Sequence, residues 1–488
     1  MKILFFHHND YLSNGIPGGI AALSAVLKQA GHEVDIFDTT FIKTEEQPES
    51  SAGKQGIYLP TEYTLEDLVK DDPVQNIEEA FLKKINSFSP ELIAVSVMTG
   101  YYDEVIKILE NVKPKAKILV GGVHSTISPE DALRPEVVDF ICIGEGEALL
   151  TELCDHLERG KDYTKLLNLG YKKDGKMFLN EPRPFINLDE LPVPDWSIFD
   201  KRHLFRPFMG RVYKGSFYVM SRGCPMSCSY CVNISLSDKL KNCGKYFRFQ
   251  SAATTVFQLR SLKETYGATW FKFADDSLTY MSEAYLEELA EGLKPLNIQF
   301  GCSIRPESVN ARKIELLKSM GCVAASVGVE SGSMELRKKV LNRHMTDQQI
   351  ENAVRTLREA GIRVSTFNMI GLPGETREDV FKTINFNRKL NADAANVYII
   401  YPYPGTPISE RYKVNFRDKE GNLIPVSEAS SFHLSMMPPE EVEGLLKTFN
   451  LYLKLPEDMW MNIKKAEGSD ESANSMFKKL KEYSLTVK

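Results

Sequence analysis

The 488-residue chain is long enough for about two to four domains at the usual ~100 to 200 residues each, which excludes a single small module. Hydrophobic residues make up 43% and charged residues 26%, an ordinary globular usage that excludes wholesale disorder. With 60 basic against 66 acidic side chains the net charge is −6, so no global positive field draws the chain to nucleic acid or anionic lipid, and a small-molecule substrate is expected.

The N-terminal MKILFFHHND has one Lys and then an apolar run too short for a secretion signal. No stretch approaches the ~20 apolar residues that span a bilayer, so the chain reads as cytoplasmic, without a transmembrane segment. Residues 1–160 alternate the runs KILFFH, EVDIFD, ELIAVSV, AKILVGG and VVDFICIG with helical patterns over Gly18–Ala30 and near 74–88 and 103–111. Val- and Ile-rich strands separated by helices imply βαβ units and a parallel sheet, and five of them imply a flavodoxin-like, doubly wound α/β domain. Ligands of such sheets sit beyond the carboxyl ends of the strands. The loops there, at 9–19, 97–102, 121–128 and 144–147, carry Gly-Gly pairs, hydroxyls and the run IGEGE, where glycine lets backbone approach a bulky ligand. The pattern fits a flat or phosphorylated ligand without naming it, and a plain structural role for any single loop stays open.

The polar, turn-rich residues 44–65 read as an insertion. Residues 161–205 read as a linker, since 181–200 hold four prolines and Pro and its predecessor both disfavour helix. A second βα series then occupies 206–410, with strands SFYVMS (216–221), WFKFAD (270–275), IQFGCS (298–303), VAASVG (323–328), RVSTFNMI (363–370) and AANVYII (394–400). Six units are fewer than the eight of a closed barrel, so a partial (β/α)6 TIM barrel is expected, with its chemistry at the carboxyl ends of the strands. Strands cease in 411–488, where 440–455 and 476–483 read as amphipathic helices of a small extension. Met436, Met437, Phe449, Tyr452 and Trp460 there read as helix packing in preference to an apolar pocket.

The eight cysteines are sparse and read as reduced thiols. Three of them fall together in Cys224-Pro-Met-Ser-Cys228-Ser-Tyr-Cys231, directly after the first barrel strand. Three thiolates can hold three irons of a [4Fe–4S] cube and leave the fourth iron open. The competing reading is a four-cysteine zinc site that recruits Cys243, because no His falls in the interval.

The C-x3-C-x2-C spacing, with Tyr230 before the last cysteine and SRGC before the first, closely resembles the radical S-adenosylmethionine (SAM) enzymes. The resemblance covers about residues 1–410. The N-terminal domain is similar to a cobalamin-binding domain, and LDELPVPDW is similar to the linker that joins the two in that subfamily. It implies a [4Fe–4S] cluster on Cys224, Cys228 and Cys231, SAM on the open iron, and cobalamin. By the same resemblance Asp275 and Asp276 meet the SAM ammonium, Ser303 and Arg305 its carboxylate, and Glu330 the ribose hydroxyls. Tyr230 flanks the cluster, Asn368 with IGLPGE abuts adenine and methionine, and Tyr398–Tyr403 with PGT closes the base side. Taken singly, Asp276 or Arg305 reads equally well as half of a structural ion pair, and Tyr398 as core. For cobalamin the implied contacts are Ser96, Thr99, Gly121, Gly122, His124, Gly144 and Glu145.

One departure is plain. No D-x-H-x-x-G loop follows the first strand, where His7-His8-Asn9-Asp10 stand instead. Cobalamin is therefore expected without a histidine from that motif, the alternatives being His7, His8, His124 or water on cobalt, or a lost cofactor. The implied chemistry is reduction of SAM to methionine and a 5′-deoxyadenosyl radical, fed by an external one-electron donor such as flavodoxin or ferredoxin. C- or P-methylation of an unactivated centre is the leading expectation. A cyclisation, oxidation or rearrangement of a tetrapyrrole or lipid is the alternative, and a non-catalytic cluster-carrying protein is the third.

Overall fold

Strands β1 (Lys2–His7), β2 (Glu33–Asp38), β3 (Leu92–Ser96), β4 (Lys117–Gly121) and β5 (Phe140–Cys142) are apolar on both faces, so both faces must be covered. The computed structural model, which describes residues 1–45 and 65–486, shows how. Ile3 and Phe5 of β1 enter a core with helices Gly18–Gln29 and Glu147–Glu158, while Leu4 and Phe6 enter another with helices Ile77–Phe88 and Tyr102–Val112. The five strands are parallel in the order β2-β1-β3-β4-β5, the flavodoxin-like order. The expected insertion at 44–65 lies almost wholly outside the described residues.

Two strands in the stretch read as linker extend this sheet. β6 (Leu169–Lys173) pairs antiparallel with β5, and β7 (Lys176–Leu179) with β6. The turn between them is Asp174-Gly175, at φ 51° and 72°. Two positive φ values suit the tight right-twisting turn for which Asp-Gly is a sequence signal, and the linker reading of this stretch passed over it.

The second sheet has the order β16-β15-β14-β13-β12-β9-β8. β9 (Arg211–Tyr218), β12 (Trp270–Phe273), β13 (Gln299–Ile304), β14 (Cys322–Glu330), β15 (Arg363–Ile370) and β16 (Ala394–Ile399) are the six parallel strands of an open barrel. β8 (Phe205–Phe208) closes one edge antiparallel, and the two-residue strands β10 (Ser221–Arg222) and β11 (Arg248–Phe249) pair beside the cysteine loop. Period-2 burial sorts the faces. Phe271, Phe273 and Phe300 are fully buried in the helix-side core, and the residues between them look onto the concave face.

Beyond 411 the α-helices of the extension are Pro439–Lys454, Trp460–Lys465 and Glu471–Thr486, preceded by a 3-10 helix over Val426–Phe432. Phe449 and Tyr452 are buried there with Met437, and Trp460 packs edge-on against Tyr452, whereas Met436 is 75% exposed. Residues 412–438 instead form a strap between the two units. Arg417 bonds Asp131 at 2.8 Å, Leu423 N–H donates to Asp103 at 2.5 Å, and Tyr401 OH donates to Ile424 O at 2.8 Å.

Candidate active site

The cysteine loop leaves the end of β10 at the mouth of the barrel, opposite the carboxyl ends of the first sheet. Cys228 is buried and Cys224 and Cys231 are half-buried. Burial pushes the Cys224 thiol up to about 11, against the pull of Arg305, and raises Cys231 as well. The loop is held from outside: Ser229 N–H donates to Leu341 O at 3.1 Å and Asn342 Nδ2 to Ser227 O at 2.7 Å. Cys243 is not part of this group. Its thiol is buried near Glu145 and Arg248, and its carbonyl accepts from Phe185 N–H of the linker at 2.8 Å.

Three of the expected strand-end residues gather around these thiols, with Tyr230 of the loop itself. Arg305 donates from Nη1 to Cys228 Sγ at 3.0 Å and from Nε to Glu307 at 2.8 Å. Asp276 is exposed and accepts from Asn233 Nδ2 at 3.1 Å, the same amide that reaches Cys231 Sγ at 3.7 Å. Glu330 accepts from Tyr230 OH at 3.1 Å and from Arg343 Nη1 at 2.8 Å. Its backbone is left-handed, φ 67°, where β14 shifts register against β15, and strain of this kind persists only where the surroundings enforce it. The carboxylate folds back over Gly328, where a Cβ would stand 2.6 Å from Oε1, so a larger residue there would have to displace the Glu330–Arg343 pair.

Three residues are placed differently from expectation. Asp275 is buried and its Oδ1 takes Met220 N–H, Ser221 N–H and Ser221 OH at 3.1, 2.6 and 2.5 Å, tying β12 to the end of β9. Its Oδ2 is buried without a hydrogen-bond partner, and burial pushes the acid up to about 6. Asn368 faces the helices and not the mouth: Asn387 Nδ2 donates to its Oδ1 at 2.7 Å, and its own Nδ2 donates to Thr366 Oγ1 at 3.0 Å. The concave neighbours on β15 are Phe367 and Met369. Ser303 is on the concave face but two residues deeper than Arg305.

Across from the mouth, a cavity of about 300 Å³ opens at the carboxyl ends of the first sheet. Gly18, Gly19, Ser96, Gly121, Gly122 and Gly144 line it on one side, and Pro194, Trp196, Phe217 and Val219 of the linker and barrel on the other. Gly122 has φ 98° and would place a Cβ 2.8 Å from Val97 O, so the loop needs glycine. Thr99 and His124 do not line the cavity. Both are fully buried, with His124 Nδ1 3.3 Å from Thr99 Oγ1, its Nε2 3.5 Å from Asp131, and its ring against Tyr102. Glu145 is at the cavity wall, but its carboxylate is engaged by Arg222 at 2.7 Å and by Arg248.

Comparison with known proteins follows this division of the chain. Residues 61–154 match the B12 binding domain and residues 218–386 the Radical SAM superfamily. An uncharacterised methyltransferase from Pyrococcus horikoshii is 33% identical over 336 residues, which are 67% of this chain and 70% of that protein. The chain belongs to the cobalamin-binding radical SAM family. It is therefore an enzyme, which sets aside the cluster-carrier reading, and its family cofactors are a [4Fe–4S] cluster, SAM and cobalamin. The anaerobic magnesium-protoporphyrin IX monomethyl ester cyclase of Cereibacter sphaeroides is 26% identical over 435 residues, 85% of this chain and 64% of the cyclase. The radical SAM methyltransferase TsrM from Kitasatospora setae shares the fold, with TM-score 0.66, 17% identity and 99% of each chain covered.

The donors of this radical SAM enzyme fit its cofactors. Cys243 sits apart beside Glu145 and Arg248, which disfavours the four-cysteine zinc reading, whereas three thiols on one loop match the ligand count of a cube with one open iron. The apolar cavity, bare of side chain at Gly19, suits a flat ring system. His7, His8 and His124 are all absent from its lining. His8 bonds Glu104 at 3.1 Å, and His7 lies near Asp38 and His203 with burial lowering its basicity. Sequence reasoning missed Arg343, Asn233, Arg222 and Arg248, because each acts on a partner 13 to 103 positions away. The SRGC run contained Arg222 but gave no sign of its partner.

Proposed function

We propose that the enzyme methylates a carbon or phosphorus centre of a small molecule at an unactivated position. The observation that carries this reading is that the glycine-lined cavity is walled in part by Ser221 and Arg222, the residues that lead into the cysteine loop, so that two cofactors can serve one substrate between them. When bound, cluster and SAM supply a carbon radical able to take hydrogen from an unactivated C–H bond, and cobalamin supplies a carrier for the methyl group. Cys224, Cys228 and Cys231 hold the cluster in this reading, and Asp276, Arg305 and Glu330 position SAM at the strand ends. Ser96, Gly121, Gly122 and Gly144 seat cobalamin, and residues 1–160 and 206–410 are the two working domains. The strap, with Arg417 on Asp131 and Leu423 on Asp103, excludes water from the space between them.

The reading also includes an external flavodoxin or ferredoxin as electron donor, a cytoplasmic setting, and no nucleic-acid partner. Among the described residues no helix is long and apolar enough to cross a membrane. The similarity to the cyclase favours one second reading, oxidative cyclisation without methyl transfer. Anaerobic turnover separates the two. Methylation yields S-adenosylhomocysteine beside 5′-deoxyadenosine and a product heavier by one CH2 unit, whereas 5′-deoxyadenosine alone, with a product that has lost hydrogens or gained oxygen, refutes it.

A further inference from the structure

Below the mouth, the concave face of the barrel holds an ammonium that no acid among the described residues neutralises. Lys272 lies between Phe271 and Phe273, both of which enter the helix-side core, and its Nζ reaches Ser326 Oγ at 3.4 Å. That reach crosses β13 because Gly301, the register partner of Lys272, offers no side chain to block it. Ser326 Oγ is 3.1 Å from Ser365 Oγ, and Ser303 is the register partner of Ser326, so three hydroxyls share one level of three adjacent strands. Ser365 is concave because its neighbour Thr366 bonds Asn387 on the helix side at 2.5 Å.

Among the described residues Lys272 forms no salt bridge, and the ionisable groups acting on it are the buried thiols of Cys302 and Cys322. Burial pulls the amine below the usual lysine range. Removing an ammonium from water costs several kcal/mol unless an opposite charge replaces the lost solvation, and a hydroxyl at 3.4 Å is a weak substitute. No described residue supplies that opposite charge, which leaves the layer fitted for an anion brought by a ligand. Lys272, Ser303, Ser326 and Ser365 are all half-buried on this face, and Asp276 of the mouth lies four residues farther along the same strand and loop, roughly 13 Å at the usual rise.

We propose that this layer receives an oxyanion of the substrate, a carboxylate or a phosphoryl group, with Lys272 as counter-charge and Ser326 and Ser365 as hydrogen-bond donors. The proposal rests on the methylation reading above and narrows its substrate to an anionic small molecule held by its charged end in the barrel.

The test is calorimetric titration of the anaerobically reconstituted holoenzyme with inorganic phosphate and, separately, with acetate. One of the two saturates a single site in the wild type; K272R retains it and K272Q weakens it roughly tenfold or more, as loss of a charge-assisted hydrogen bond requires. S326A, which removes one hydroxyl from an otherwise intact strand, weakens it by a smaller factor and serves if K272Q does not fold. Saturation by phosphate marks a phosphoryl substrate and saturation by acetate a carboxylate. Absence of saturable binding in the wild type, or equal binding by the wild type and both variants, overturns the proposal. Reductive SAM cleavage by the wild type is measured in parallel. Cleavage without anion binding sinks the anion site alone, and anion binding without cleavage sinks the functional reading instead.

Discussion

Replacing Arg343 by Met tests whether the mouth is held by the buried pair it makes with Glu330. The two side chains are only 4% and 11% exposed, and the guanidinium also donates to Tyr230 OH at 3.1 Å and Gly328 O at 2.9 Å. Removing one partner leaves a carboxylate enclosed with the Tyr230 hydroxyl as its remaining donor, a change that costs about 3–5 kcal/mol. At about 2–4 °C per kcal/mol for a domain of this size, even the low end lowers the melting transition of the barrel by about 6 °C. Adding E330Q removes the stranded charge, so E330Q/R343M melts above R343M, with a coupling of about 1–3 kcal/mol between the sites. Anaerobic thermal unfolding followed by circular dichroism measures all four proteins of the cycle. Melting of R343M within about 2 °C of the wild type, or strictly additive losses, would refute the idea that this pair carries the mouth.

Alanine at Cys224, Cys228 or Cys231 abolishes the iron and sulfide bound after reconstitution, whereas C243A retains both, as elemental analysis would show; iron lost equally in C243A contradicts the three-thiol cluster. N368A leaves Asn387 Nδ2 with only Thr383 O of its two acceptors and destabilises the barrel by about 1–3 kcal/mol, while SAM affinity measured by equilibrium dialysis stays within about twofold. Glu375 is fully buried and accepts from Gly371 and Leu372 N–H at 2.7 and 3.2 Å, and burial pushes its carboxyl up to about 8. The folded chain then keeps a proton that the unfolded chain releases near its ordinary value of about 4.5, so wild-type stability falls as pH rises from there to about 8 and levels off above it. E375Q removes this slope, by up to roughly 5 kcal/mol over that window, which melting curves against pH resolve; parallel curves for the two proteins would disprove the buried acid.

The two parallel sheets, their strand positions and the cysteine cluster were legible because each rests on patterns within ten residues. Alternating burial, Gly-Gly turns and C-x3-C-x2-C spacing are local, and local geometry fixes them. The hairpin at Asp174-Gly175 is equally local but hides inside a linker-like stretch, because its four-residue strand Lys176–Leu179 is exposed throughout and carries no buried face to mark it. Asn368 shows the limit at the strand ends. In a pleat of period two a one-residue change of facing exchanges mouth for helix layer, and only the register of β15 against its neighbours, with Asn387 waiting behind it, decides which side the amide takes.

The identities of the side chains that tune the site belonged to the tertiary structure. Arg343 reaches Glu330, Arg222 reaches Glu145 and Arg417 reaches Asp131 across 13, 77 and 286 positions, and chain order carries no record of such meetings. The sequence by itself determined the two α/β units and the three thiols, since periodicity and spacing are properties of the backbone's own repeat. Only folding decided which carboxylates face the mouth, which are spent on the scaffold, and that Lys272 meets no acid among the described residues, because burial and pairing depend on what the rest of the chain brings alongside.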